Sequence, residues 1–264
     1  MKLTIGLTLR GHSRGSEKTG FYIPELKTFL DAGLQSYFCP ENILITHCHS
    51  DHSFALPMLL LGLPNPPNIY VPKEHEGLFI EHDKASTKLF CGIVDEHKFR
   101  ENERKFIGVA QDDIIDLGKK YFAKVLSLDH SVPTNGYCIY KTTTKLKKEY
   151  QGLKGADIAE LRKKGTELSD VVIVPQLAYL CDTCETIYDK HQEIFNYPYI
   201  MAECTFLEDE TYELAKQSKH THWKNLEKII NAHPNNTFIL IHFSMRYDDI
   251  KIPNLPKNAI IWDN

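Results

Sequence analysis

Three histidines and an aspartate fall within six positions of the stretch ILITHCHSDHSFALPMLLLG, residues 43–62: His47, His49, Asp51 and His52. Imidazole and carboxylate at this density form a metal-ligand pattern that suits Zn²⁺, with Mn²⁺ or Fe also compatible. A strand sends alternate side chains to opposite faces, so His47 and His49 are expected to project the same way and share one ion. Asp51 and His52 follow the strand, where the chain turns into a helix expected to begin near Leu56 and Pro57, and proline suits a helix's first turn. They can address a second ion beside the first. Two ions need roughly six or seven ligands, so the local motif is incomplete by itself.

The missing groups stand at the ends of other apolar runs. ILIT leads into His47, KVLSLD into His130, LAYLC into Asp182, YIMA into Glu203 and FILI into His242. An open α/β sheet collects its ligand-binding residues at strand ends, so His130, Asp182 and His242 supply three more candidate ligands. A lone histidine is ordinarily a hydrogen-bonded core or surface residue. Five runs that each deliver a ligand-type residue to one edge make a constellation. Cys181 and Cys184 also form a CxxC, which can be a redox or zinc pair. There is no second CxxC, and ordinary buried thiols are the preferred reading.

The elements that would position these groups are short. Strand-like runs recur at KLTIGLTL, NILITH, NIYVP, FAKVLSLDH, YCIYKT, VVIVPQLAYL, YPYIMAE, TFILIHF and AIIWDN. Helix-like segments lie at 55–62, 74–84, 155–164, 207–217 and 222–232. Strands interleaved with helices indicate an α/β fold. No repeat, low-complexity tract or linker divides the chain, so residues 1–264 are expected to form a single domain. With 42% hydrophobic and 25% charged residues the composition is that of an ordinary soluble protein. No apolar stretch approaches the roughly 18–20 residues of a membrane span, and MKLTIGLTLRGHSR turns polar too soon for a secretory signal. A cytoplasmic location is the default expectation, and seven cysteines without a paired framework are expected to be free thiols.

A net charge of −4 argues against a whole-molecule attraction to nucleic acid. One segment differs. Residues 141–165, KTTTKLKKEYQGLKGADIAELRKKG, hold eight Lys/Arg against three Asp/Glu, a local +5 in a chain that is otherwise −9. Within it ADIAELRKKG reads as a short helix, with Asp157 in the first turn, basic residues in the last and Gly165 ending it. Lys145, Lys147, Lys148, Arg162, Lys163 and Lys164 can track a phosphate backbone, a salt-dependent contact. A solvated lysine-rich face would have the same composition, so both readings stay open. No RRM, KH or OB signature appears, which leaves recognition of shape.

The motifs as a set are recognisable. THCHSDH resembles the HxHxDH signature of the metallo-β-lactamase fold, an αββα sandwich with a dinuclear metal site at the sheet edge. Glyoxalases, lactamases, sulfatases and nucleases share that signature, so it implies the fold and not the reaction. HSVPTNGY (130–137), CDT (181–183), AECTFLEDE (202–210), AKQSKHTH (215–222) and HFSMRY (242–247) follow in the order seen in the ribonuclease Z family, the tRNA 3′-processing endonucleases. GHSRGSEKTGFYIPELKTFLDAG and KLKKEYQGLKGADIAELRKKGTEL resemble the short, plant-type form. Two departures are Cys181, where the family usually has glycine, and the lack of a long arm rich in glycine and proline.

The resemblance implies two Zn²⁺ per subunit, with His47, His49 and His130 on one, Asp51, His52 and His242 on the other, and Asp182 bridging. Ions about 3.5–4 Å apart can activate water and stabilise both oxygens of an in-line phosphoryl displacement. Asp51 would also orient or deprotonate the nucleophile while touching the metal. Glu203 would orient His220, which protonates the departing 3′ oxygen. His222 competes for that role, and a purely structural hydrogen bond is the plain alternative for the pair. Ser244 and Arg246 would grip phosphate, a buried ion pair being the alternative for Arg246. The basic segment lies between His130 and Asp182, where bacterial relatives insert a tRNA-binding arm. Relatives are homodimers, which implies that one subunit docks precursor tRNA while the other cuts. The rival enzyme is a small-molecule phosphodiesterase on the same scaffold. A weaker rival is an RNA-binding protein with a vestigial site.

Overall fold

A computed structural model describes residues 1–36, 38–60, 63, 65–93, 104–262 and 264, and within them the chain builds two seven-stranded sheets. The first sheet holds β1 (Arg10–Gly15), β2 (Lys18–Ile23), β3 (Thr28–Leu30), β4 (Asn42–Leu44), β5 (Asn68–Pro72) and β6 (Lys105–Val109). The second runs from β7 (Ile114–Gly118) through β8 (Tyr121–Leu128), β9 (Thr134–Leu146), β10 (Ser169–Leu180) and β11 (Tyr199–Glu203) to β12 (Thr237–Ile241). The chain then crosses back. β13 (Phe243–Ser244) joins the first sheet in parallel with β1, and β14 (Ala259–Ile261) closes the second beside β12.

Both faces of the central strands are apolar, as a sheet covered on both sides requires. In β10 Leu177 and Tyr179 face the first sheet, whereas Ala178 and Leu180 face outward. β12 repeats this with Ile239 and Ile241 against Phe238 and Leu240. The inter-sheet core therefore joins Phe21, Leu44, Tyr137, Tyr179 and Ile241. Outside the first sheet lie α1 (Ser50–Ser53), α2 (Leu56–Leu60) and α3 (Glu76–Cys91), whose Leu56, Leu59 and Phe79 pack on Ile43 and Ile69. After α4 (Gly155–Lys163) come α5 (Thr186–Lys190), α6 (Tyr212–Ser218) and α7 (Trp223–Ala232). Ile187 of α5 and Leu226 and Ile230 of α7 cover the second sheet. The result is helix, sheet, sheet, helix.

Two expectations are corrected. KLTIGLTL is not a strand: the chain reverses at Gly6, at φ +84°, leaving an isolated bridge between Lys2 and Thr8. The strand before the histidine cluster ends at Leu44, so His47 and His49 stand on the loop beyond it and owe their common direction to that loop. Of the helix expected over 55–62, residues 61 and 62 lie outside the described residues.

β9 and β10 outrun the sheet. β8 follows β9 only as far as Lys141, and β11 begins to pair with β10 only at Leu177. Beyond those points Thr142–Leu146 pairs with Ser169–Ile173 alone among the described strands, a two-stranded ribbon carrying α4 at its tip. A register shift between Pro175 and Leu177 marks the root, where proline lacks a ladder donor. α4 has no buried residue, and Gly165 at φ +77° ends it as its sequence indicates.

Candidate metal centre

Six strands of the two sheets end at one seam. The loop after β4 carries His47 and His49, α1 carries Asp51 and His52, and the turns after β8, β10 and β12 carry His130, Asp182 and His242. His47, His49, His130 and Asp182 bring one ligand-type atom each within 4.8 Å of one another, as do Asp51, His52 and His242. Asp182 serves both groups. Its Oδ2 lies 3.6 Å from His47 Nε2 and 3.8 Å from His130 Nε2, and its Oδ1 lies 3.4 Å from His52 Nε2 and 3.2 Å from His242 Nε2.

Two buried carboxylates behind the seam orient the rings. Asp31, which follows β3, accepts from His52 Nδ1 at 2.9 Å, from Tyr179 Oη at 2.7 Å and from the Thr46 amide at 2.7 Å. The Thr46 hydroxyl also donates to Asp31, so it accepts from His47 Nδ1 at 2.9 Å. Glu203, at the end of β11, plays the same part opposite. It accepts from His220 Nδ1 at 3.0 Å, from the Thr183 amide at 2.6 Å and from the Thr205 hydroxyl, which in turn accepts from His242 Nδ1 at 3.0 Å. His130 Nδ1 donates to the Lys219 carbonyl at 3.1 Å. With their Nδ1 atoms committed as donors, His47, His52, His130 and His242 turn lone pairs on Nε2 toward the seam, which is how imidazoles are prepared for a metal.

The donor set fits divalent cations. His52 Nε2 and His242 Nε2 face each other at 3.2 Å, with Asp51 Oδ2 3.5 and 3.3 Å away, an assembly of acceptors that needs positive charge. Burial lowers the affinity of His47, His49 and His130 for protons, which keeps them as neutral donors. Burial opposes charge on His52 as well, but the Asp182 and Asp31 carboxylates overcome it and drive the ring toward its charged form. A cation there would take that proton's place. Asp51 is held well below the usual carboxylate range: burial works the other way, and hydrogen bonds with His242 and His52 prevail. Asp182 is held low likewise, its burial outweighed by His242, His52 and His47.

Backbone strain gathers here. Asp31, Asp182, Lys219 and His242 all have positive φ, at 58°, 25°, 55° and 61°, conformations that cost non-glycine residues of order 1–3 kcal/mol each. Gly33 lets the loop after Asp31 meet α1, since a Cβ there would lie 1.8 Å from the Asp51 carbonyl oxygen.

Other expected residues sort clearly. His220 stands beside His130, ring centroids 4.9 Å apart, with Nδ1 tied to Glu203. Burial alone would depress its pKa, but the Glu203 and Asp182 carboxylates prevail and push it up to about 9. His222 does not compete: its Nδ1 accepts from the Lys224 amide as the N-cap of α7 and its Nε2 donates to the Glu208 carbonyl. Arg246 is exposed, its guanidinium 5.2 Å over the Phe206 ring and its Nε 3.2 Å from Ser244 Oγ. It forms no ion pair with a described carboxylate, so the buried-pair alternative is overturned. Cys181 is a buried thiol donating to Asp182 Oδ1, and Cys184 faces the Thr186 hydroxyl. Lys145, Lys147 and Lys148 sit along the ribbon and the turn after it, and Arg162, Lys163 and Lys164 at the end of α4.

Four residues of the site, Asp31, Thr46, Thr205 and Lys219, belong to none of the sequence-predicted ligands. Asp31 has a local signal, an acidic residue ending the buried run TFL. The others stand inside the motifs THCHSDH, AECTFLEDE and AKQSKHTH, but nothing in their residue types marks them as partners of the ligands.

No family model matches the chain. tRNase Z TRZ1 of Arabidopsis thaliana is 30% identical to it over 259 residues, 92% of this chain and 87% of the relative. tRNase Z TRZ2, chloroplastic, of the same plant is 30% identical over 256 residues, 90% of this chain and 68% of the relative. Among solved structures, the short form of human tRNase Z superposes with a TM-score of 0.58 at 16% identity, covering 91% of this chain and 93% of that one. The metallo-β-lactamase fold protein YhfI from Bacillus subtilis gives 0.57 at 14% identity, covering 97% and 95%. Both structures show the fold, which is the metallo-β-lactamase sandwich.

Proposed function

The chain belongs to the ribonuclease Z (tRNase Z) family, and on that basis we propose that it is a metal-dependent endoribonuclease that cuts 3′-trailers from precursor tRNA and leaves a 3′-hydroxyl. The observation that carries the reading is Asp182, one carboxylate oxygen toward each of two histidine groups. His47, His49 and His130 would hold one ion, Asp51, His52 and His242 the other, and Asp182 both. Imidazole with carboxylate suits Zn²⁺, and admits Mn²⁺ or Fe. Bound there, a pair of divalent ions would supply a nucleophile at neutral pH and charge stabilisation for the phosphoryl oxygens.

The chain's own residues do the rest. Asp51, its Oδ2 fixed by the Ser16 amide at 2.8 Å, orients the nucleophile. His220 donates from Nε2 to the departing 3′ oxygen, its other nitrogen anchored by Glu203. Ser244 and Arg246 present a hydroxyl and a bidentate fork to phosphate at the mouth. The basic ribbon and α4 dock the tRNA body. Exposed Phe54, Met58, Leu78, Leu89 and Phe90 form an apolar patch around α2 and α3, which supports a homodimer. Among the described residues no helix is long and apolar enough to cross a membrane, and seven free cysteines suit a reducing compartment such as the cytosol.

Cleavage of a 3′-extended precursor tRNA, with zinc, with chelator, and beside a small chromogenic phosphodiester, tests this reading. Chelator-sensitive endonucleolytic cutting at the trailer junction is the expected result. Efficient hydrolysis of the small diester with intact tRNA would hand the site to a small-molecule phosphodiesterase.

A further inference from the structure

α6 ends in a left-handed residue, and that residue is a lysine. Lys219 has φ 55° and ψ 47°, and the next amide, of His220, reaches back to the Ala215 carbonyl at 2.9 Å. This is a helix end that normally selects glycine, which has no Cβ to strain. A lysine there needs compensation, and the structure supplies it. Its Nζ donates to Asp129 Oδ1 at 3.0 Å and to the His130 carbonyl at 3.2 Å, while its own carbonyl accepts from His130 Nδ1 at 3.1 Å. One residue thus grips Asp129 and His130 at three points, and the residue after it is His220.

We propose that Lys219 is a positioning residue that locks His130 into the Nδ1–H tautomer and sets the spacing between His130 and His220. The inference rests on the reading of His130 as a metal ligand. The carbonyl of Lys219 accepts the Nδ1 proton and so frees Nε2 as a lone pair, as orienting partners of metal-bound histidines do. The ammonium closes the loop from the other side, so the carbonyl cannot swing away while Nζ holds Asp129 and the His130 backbone. Because the α6 end and the 129–130 turn are pinned together, the two rings keep their 4.9 Å separation. Lys190 also reaches Asp129, at Oδ2 and 3.0 Å, but its ammonium does not share Lys219's second bond, to the His130 carbonyl. It can hold the carboxylate without fixing the ring.

Lys219→Gly is the informative variant, because glycine favours the left-handed backbone and removes only the ammonium grip. Expected are roughly tenfold or weaker zinc affinity at one of two sites by chelator competition, and a lower kcat on precursor tRNA with unchanged KM. In histidine-labelled, metal-free protein, long-range ¹H–¹⁵N spectra should show a tautomer mixture at His130 in place of Nδ1–H alone. Asp129→Asn should move all three readouts the same way. Wild-type affinity, kcat and tautomer in Lys219→Gly would overturn the proposal, and so would an equal loss in Lys190→Met. His130→Ala separates the premise: if it leaves zinc affinity intact, the metal assignment fails whatever Lys219 does.

Discussion

The seam and the basic arm formed by the β9–β10 ribbon and α4 use polar residues in opposite ways. At the seam Asp31 alone takes donors from His52, Tyr179 and Thr46 and is fully buried. Glu203 does the same for His220, Thr183 and Thr205. On the arm, Lys147 and Lys164 have one ion pair each, with Glu167 at 3.8 Å and Glu160 at 2.7 Å, and among the described residues Lys145, Lys148, Arg162 and Lys163 have none. Exposed pairs of this kind contribute about 0–1 kcal/mol. Under the proposed function the two regions divide the labour. Groups that would meet a reacting phosphate are tied from behind, whereas groups proposed to attract a polyanion need only be charged and free to follow it.

Asp182→Ala strikes the seam hardest. It removes the group common to both histidine clusters, and the expected outcome is loss of zinc from both sites and of all cleavage, read by metal content and the tRNA assay. Next comes His220→Ala, expected to slow turnover about 10²–10⁴-fold while zinc content stays at wild type. Loss of metal in that variant would move His220 among the ligands.

The same histidine gives a pH signature. Its folded value of about 9 is raised above the ordinary 6.5. Its pairing with Glu203 therefore stabilises the fold in full below about pH 6.5, and that contribution is lost as pH rises through about 9. Cleavage that needs its proton should hold through neutral pH and fall as pH rises through about 9. Glu203→Gln should move the falling limb toward lower pH, and an unmoved limb would take the proton from His220.

Asp31→Ala touches no phosphate, and it tests whether support from behind matters. It leaves His52 Nδ1 and the Tyr179 hydroxyl without their buried partner, so metal affinity should weaken about 10–100-fold and thermal stability should fall. The smallest effect belongs to the arm. Lys147→Glu with Lys148→Glu should raise KM for precursor tRNA and flatten its salt dependence, by about 0.7–0.9 in log–log slope for each phosphate no longer neutralised. Turnover of a small phosphodiester should not change. Equal impairment on both substrates would mean that arm and seam are not separable.

The signals legible in the chain are local and repetitive. HxHxDH followed by ligand-type residues at the ends of apolar runs points to the seam, because buried strands leave their polar residues at their ends. Runs apolar at every position foretell sheets covered on both faces, and Gly165 marks the end of α4. Packing decides which atoms face one another. His47 and His49 converge through a loop and not through strand alternation. Asp31 meets Tyr179 across 148 positions and Lys219 meets His130 across 89. The sequence offers His220 and His222 as rival proton donors, and the α7 N-cap, by consuming both nitrogens of His222, leaves His220 as the candidate. The basic segment can be read as a charge run, but only strand pairing shows it riding on a projecting ribbon. The physical reason is range: propensity and burial pattern act over a few residues, whereas a hydrogen bond that orients a ring depends on where the rest of the chain has packed.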